Sequence, residues 1–118
     1  MELEALRKLE MYTQFVVILS FLALFITGYL SLIYLHEKVH EIIYHNYGVE
    51  SHIEWFSIEG YSIIAKTVAD GDFSSCNDSC LLAHHLNEIV EYPLQVLYLL
   101  MGISFFIIII LLMRKDGN

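Results

Sequence analysis

Five consecutive residues, His36-Glu37-Lys38-Val39-His40, have the types and the spacing of a metal-binding motif, H-E-x-x-H. On a helix, side chains at positions i and i+4 lie on the same face, so both imidazoles can reach one metal ion. A zinc ion held there lowers the pKa of a bound water toward about 7. Glu37 is then placed to take the proton from that water as a general base. The pattern therefore predicts hydrolytic chemistry.

A hydrolytic zinc site needs a third protein ligand and one open position. Glu88 is the main candidate, because it lies six residues before the second long uncharged run, or about 9 Å along a helix. His40 lies five residues after the first such run, or about 7 Å, so antiparallel helices would bring the two residues level. His84 and Glu91 share a helix face with Glu88 and are alternative third ligands. One residue of the pair His84-His85 can instead hydrogen-bond a zinc ligand or an oxyanion.

Two uncharged runs supply the helices that must position these residues. Phe15 to Leu35 contains 21 residues and Leu94 to Met113 contains 20, and each matches the roughly 20 residues that a helix needs to cross a bilayer. We expect membrane spans at about 13–35 and 94–113 within a single membrane domain, 1–118. The expected fold is mostly α, a membrane helical hairpin whose small external insert, 36–93, carries the metal site.

The distribution of basic residues predicts the orientation in the membrane. Basic residues precede the first span and follow the second, whereas the insert has two lysines and ten carboxylates. By the positive-inside rule, both termini are cytoplasmic and the insert lies outside the cell membrane. The net charge of −8 and the acidic insert argue against a nucleic-acid partner. Membrane lipid is the expected surrounding of the two spans.

Local signals divide the insert into a helix end and a strand pair. No helix breaker lies between Leu35 and Tyr47, so the first helix should extend through the motif to Gly48 as its C′ residue. The β-branched and aromatic content of 49–69 favours a short β-hairpin, with a helix over 61–68 as the alternative.

The residues after the hairpin predict a loop, a disulfide and a helix start. Asp70 to Ser79 has the composition of a loop. Asn77 or Asp78 is suited to cap the last helix. Two cysteines close in sequence, Cys76 and Cys80, should form a disulfide on the external side of a membrane.

The motif and its setting resemble two groups of metalloproteases. H-E-x-x-H followed by Asn87-Glu88 on a later helix resembles the gluzincin branch of the zincin metallopeptidases. That resemblance implies zinc ligands at His36, His40 and Glu88 and a general base at Glu37.

Residues 36–60, HEKVHEIIYHNYGVESHIEWFSIEG, also resemble the site-2 proteases. In that family a glycine follows the motif after seven residues, here Gly48, and an F-S-hydrophobic-G segment comes next. The chain departs from the family at Val39, where a glycine is usual, and it lacks an L-D-G aspartate in the second span. These departures move the expected site from the membrane interior to its surface.

The sequence as a whole predicts a membrane-embedded zinc metalloprotease that hydrolyses peptide bonds at the membrane interface, with Zn²⁺ as cofactor. Its substrate would be a peptide or a membrane protein, and two helices alone leave surface for a homo-oligomer or a larger membrane complex. The alternative is a small non-catalytic metal-binding or structural membrane subunit, whose histidines bind zinc, copper or nickel or no metal. Glu37 distinguishes the protease from the non-catalytic subunit, because catalysis requires this carboxylate and metal binding does not.

Overall fold

The computed structural model describes residues 1–56 and 64–116. Its elements are, in chain order, α1 (Glu2–Asn46), β1 (Glu50–Trp55), β2 (Ala65–Asp70) and α2 (Asp78–Asp116). Two long apolar helices with a two-stranded sheet between them confirm the predicted mostly α fold. Both helices are long and apolar enough to cross a membrane. The orientation across that membrane stays a prediction of the charge pattern.

The chain forms two compact units, one made of residues 1–29 with the chain from Tyr98 onward, the other of Leu30–Leu97. In the first unit, aromatic rings pack against glycines of the opposite helix. A Cβ atom on Gly28 would collide with the hydroxyl of Tyr98, and one on Gly102 would collide with the ring of Phe25. The Tyr98 hydroxyl donates a hydrogen bond of 3.0 Å to the carbonyl of Phe25. Small residues permit such close approach between membrane helices, so the two glycines set the packing in this unit.

In the second unit, α1 continues through the H-E-x-x-H motif and ends in a Schellman motif. Gly48 has a φ of 75°, in the left-handed region that suits a glycine. The N–H of Val49 donates to the carbonyl of Tyr44 at 2.9 Å, and the N–H of Gly48 donates to that of His45 at 3.0 Å. Val49 is buried in a small core against which Tyr44 also packs. The predicted role of Gly48 is confirmed, and this helix end leads the chain directly into β1.

The insert contains the predicted β-hairpin. β1 and β2 pair in antiparallel fashion, with Glu50 opposite Asp70 at one end and Trp55 opposite Ala65 at the other. The alternative of a helix over 61–68 is wrong for residues 65–68, because these belong to β2. Residues 61–63 lie outside the described part of the chain. Residues 57–60, which contain most of the segment that resembles the site-2 proteases, also lie outside the described part.

A disulfide and a small apolar core connect the hairpin to the start of α2. Cys76 and Cys80 are disulfide-bonded, as predicted. Asn77 is the N-cap of α2, since its Oδ1 accepts a hydrogen bond of 3.1 Å from the N–H of Cys80. Both half-cystines are buried together with Val49. We call these three buried residues the disulfide core. The side chains packed against it come from the last turn of α1, from the residue that follows α1 and from β2: Ile43, Tyr44, Tyr47 and Ala69.

Candidate metal centre

Side chains from α1 and α2 meet within the second unit. His36 and His40 lie one turn apart on α1 and are 5% and 8% exposed. Glu88 approaches them from α2, and its side chain is 34% exposed. The structure therefore brings together the three residues that the sequence predicts as metal ligands.

The three donor atoms are spaced like ligands of a single metal ion. Nε2 of His36 lies 3.3 Å from Nε2 of His40. Oε1 of Glu88 lies 2.9 Å from His40 Nε2 and 3.4 Å from His36 Nε2. Neighbouring ligand atoms of a tetrahedral zinc ion, with bonds of about 2.0 Å to nitrogen, are roughly 3.3 Å apart. His36, His40 and Glu88 can therefore hold a metal ion with little movement.

The second carboxylate oxygen of Glu88 gives an independent test of that fit. Oε2 is buried and has no hydrogen-bond partner among the described residues. A buried, unpaired carboxylate oxygen is unfavourable unless a cation or a donor compensates its charge. Two imidazoles and one carboxylate form a donor set that suits zinc. The charge and the geometry of the group both fit a bound cation.

The surroundings of His40 favour the form of imidazole that binds metals. Burial lowers the pKa of His40, and a positive charge on His36 would lower it further. The carboxylates of Glu88 and Glu37 act in the opposite direction, but the net pKa shift is downward. A histidine with a lowered pKa is neutral at pH 7 and keeps a lone pair for a metal.

Glu37, the predicted general base, lies beside the ligands and is contacted by the hairpin. The Thr67 hydroxyl lies 2.8 Å from both the backbone carbonyl oxygen and Oε2 of Glu37, and it can donate its single proton to either. Oε1 of Glu37 lies 3.8 Å from His36 Nε2. Glu37 is 8% exposed. The contact with Thr67 therefore fixes a buried carboxylate whose other oxygen lies close to a metal ligand.

Asn87 connects α2 to α1 next to the first ligand. Its Nδ2 donates to the backbone carbonyl of His36 at 3.3 Å and lies 3.4 Å from the Nδ1 of that residue. The sequence indicates Asn87 only as part of the Asn87-Glu88 pair, and it gives no signal for Thr67. The contact of Thr67 depends on the register of the hairpin and on its packing against α1, neither of which a short motif contains.

The alternative third ligands occupy different positions from Glu88. Nδ1 of His84 lies 2.6 Å from Nδ1 of His40, so His84 contacts a ligand histidine directly. Burial, and next a charge on His40, lower the pKa of His84. His84 also groups with Cys76 and Cys80, but a disulfide leaves these cysteines without the thiolates that bind metals. Among the described residues, Glu91 belongs to neither group of candidate ligands.

Comparisons with protein-family models, with curated proteins and with solved structures found no match for this chain. The resemblance to zincins therefore rests on the H-x-x-x-H spacing and on the group formed by His36, His40 and Glu88.

Proposed function

We propose that this chain is a zinc metallopeptidase that hydrolyses peptide bonds at the surface of a membrane. The observation that carries the proposal is the position of Glu37, a buried carboxylate beside a His-His-Glu group. A site that only stores or senses a metal does not require such a carboxylate. A hydrolytic site requires one as its base.

When bound by His36, His40 and Glu88, zinc supplies Lewis acidity, which polarises a peptide carbonyl and acidifies water. Glu37 takes the proton of the attacking water on Oε1 and passes it to the departing amine. Oε2 of the same carboxylate lies 2.8 Å from the Thr67 hydroxyl, whereas Oε1 lies on the side of His36 and is the oxygen available to the water. The burial of both histidines strengthens these electrostatic interactions, because the surroundings have a lower dielectric constant than water.

The setting of the motif supports a substrate at the membrane surface. His36 follows directly after the uncharged run that ends at Leu35, and α1 continues through both without a break. A peptide bond close to the lipid headgroups, in a flexible peptide or in the flank of another membrane protein, would then reach the site. We place this site on the external side, following the distribution of lysine and arginine.

Substitution of Glu37 by glutamine tests this proposal, since glutamine keeps the shape of the side chain but cannot act as a base. The matched control is Glu41→Gln, one turn further along α1, where the carboxylate pairs with Lys38 at 2.9 Å. Each full-length variant, purified in detergent with zinc supplied, is assayed for zinc content and for cleavage of a mixed fluorogenic peptide library. We expect all proteins to retain zinc, and Glu37→Gln alone to lose activity by about 100-fold or more.

Two results would contradict the proposal. Cleavage by Glu37→Gln at the wild-type rate would remove the role assigned to the base. A wild-type chain that binds zinc but cleaves neither the library nor membrane proteins reconstituted with it in lipid vesicles would instead support a non-catalytic metal-binding subunit.

A further inference from the structure

His84 contacts the ligand His40 through the ring nitrogen that a metal on Nε2 leaves unused. The two Nδ1 atoms are 2.6 Å apart, and the two ring planes differ by only 21° with their centroids separated by 4.8 Å, so the rings meet edge to edge. Two imidazole nitrogens at this distance share one proton, so one ring donates and the other accepts. The direction of this hydrogen bond decides which nitrogen of His40 keeps a lone pair.

We propose that His84 is a positioning residue that accepts a hydrogen bond from Nδ1 of His40 and thereby directs the lone pair on Nε2 toward the metal. This inference rests on the proposed role of His40 as a metal ligand. A neutral His40 that binds through Nε2 must carry its proton on Nδ1. The Nδ1 of His84 is the acceptor within reach of that proton, and a neutral His84 then carries its own proton on Nε2.

The remaining contacts of His84 leave its Nδ1 available for the hydrogen bond with His40 and hold the ring in place. Its Nε2 is buried and has no hydrogen-bond partner in the described part of the chain, so the polar contact that the structure gives the ring is the one with His40. The ring of Tyr44 lies 4.3 Å from that of His84, between centroids, and Tyr44 also packs against the disulfide core. The acceptor is therefore held in place by packing that does not involve the metal.

The size of the expected effect follows from this arrangement. Groups that hydrogen-bond the second nitrogen of a metal-ligating histidine fix its tautomer and its orientation, and their loss typically lowers metal affinity by about 10-fold to 100-fold. Removing the acceptor on His84 should therefore weaken metal binding by that factor, although His84 itself donates no electron pair to the metal.

Two substitutions separate the hydrogen bond from the packing. His84→Asn keeps an acceptor oxygen at roughly the place of Nδ1 but removes the ring. His84→Phe keeps a ring against Tyr44 but removes the acceptor. His85→Phe is the matched control, because His85 is the exposed neighbour on the same helix. A role in packing alone predicts that asparagine is the more damaging change, whereas the proposed role predicts that phenylalanine is.

The affinity of the full-length chain for Co²⁺ is measured in detergent micelles, with the visible bands of tetrahedral cobalt as the signal and competition by Zn²⁺ as a second readout. We expect His84→Phe to bind both metals about 10-fold to 100-fold more weakly, and His84→Asn and His85→Phe to stay close to wild type. Thermal unfolding of the metal-free proteins verifies that each is folded. Wild-type affinity in His84→Phe, or equal losses in the two His84 variants, would overturn the inference. If His84→Phe fails to fold, the result for a folded His84→Asn decides by itself, and weak metal binding by that variant overturns the inference.

This experiment is independent of peptide cleavage. A wild-type chain that binds cobalt with the expected dependence on residue 84, yet cleaves no peptide, would refute the proposed peptidase and leave the role of His84 intact. A wild-type chain that binds neither metal would overturn both.

Discussion

Glu88 brings both a negative charge and a donor atom to the candidate metal centre. Its Oε1 lies within 3.4 Å of both ligand nitrogens, while its buried Oε2 has no hydrogen-bond partner among the described residues. The same carboxylate raises the pKa of Tyr92, one turn further along α2, chiefly through its negative charge, and burial of the phenol adds to the effect. Glu91 lies between these two residues in sequence but outside both groups of candidate ligands in the described chain. Glu88 and Glu91 therefore form a matched pair for testing the third ligand.

We expect Glu88→Ala to lower zinc affinity by about 100-fold or more, equivalent to roughly 2.7 kcal/mol, because one of three protein donors is lost. Glu91→Ala should stay within about threefold of wild type. Competition with a chromophoric chelator measures both. Full zinc occupancy in Glu88→Ala would contradict the assignment, and a loss confined to Glu91→Ala would transfer the third ligand to Glu91.

At the scale of residues, the sequence predicts contacts within one helix better than contacts between different helices and strands. The i, i+4 spacing is sufficient for His36 and His40, and the distances from the uncharged runs place Glu88 at the same level. The spacing and these distances do not give the rotation of α2 about its axis. From the sequence alone, His84 and Glu91 are therefore alternatives to Glu88. Thr67 gives no sequence signal, because its contact with Glu37 requires the packing of β2 against α1.

At the scale of elements, the disulfide core fixes the far end of the second unit. It lies where α1 ends and α2 begins, and Cys80 has no exposed surface. Tyr44 contacts both this core and the ring of His84. Tyr44 on α1 therefore packs both against the core that contains the disulfide and against a ring next to the candidate metal centre.

Reduction of the disulfide should lower the stability of the chain by about 2 kcal/mol, because a cross-link constrains the unfolded state even when the loop is short. Thermal unfolding in detergent with and without a phosphine reductant measures this change. Alkylation and mass spectrometry should find no free thiol before reduction and two after it. The control is the Cys76→Ser/Cys80→Ser double variant, whose unfolding the reductant should not alter. An unchanged unfolding temperature after verified reduction would contradict this role.

Several element boundaries follow from single residues. The absence of a breaker after Leu35 and the glycine at position 48 are sufficient to predict that α1 runs through the motif and where it ends. The sequence predicts Asn77 or Asp78 as the cap, and the structure has Asn77 in that role because its side chain accepts a hydrogen bond from the N–H of Cys80. The hairpin was predicted from composition, but its register depends on pairing between strands, which composition does not encode.

At the scale of the whole molecule, the charge pattern and the two apolar helices give the chain its expected orientation. Arg7 and Lys8 precede the first uncharged run, and Arg114 and Lys115 follow the second. Moving these clusters across a membrane is less favourable than moving the acidic insert. The predicted arrangement therefore places the metal centre and the disulfide on the external side.

Labelling of introduced cysteines tests this orientation. Single cysteines near Gly48, at the exposed Glu50, and near the C-terminus, at Gly117, are introduced in a background with Cys76 and Cys80 changed to serine and treated in intact cells with a maleimide that cannot cross membranes. We expect labelling at position 50 and protection at position 117 until the cells are permeabilised, because the insert is external and the C-terminus cytoplasmic. Labelling at 117 in intact cells, with protection at 50, would reverse the orientation.

The measurement that tests the central claim most directly is the metal content of the wild-type chain. The protein is purified gently in detergent with zinc supplied, and its zinc is determined by mass spectrometry against the concentration of chains. We predict about one zinc ion per chain, because His36, His40 and Glu88 provide three donors for one tetrahedral ion. A chain that retains no zinc under these conditions would contradict the metal centre and the hydrolytic function together.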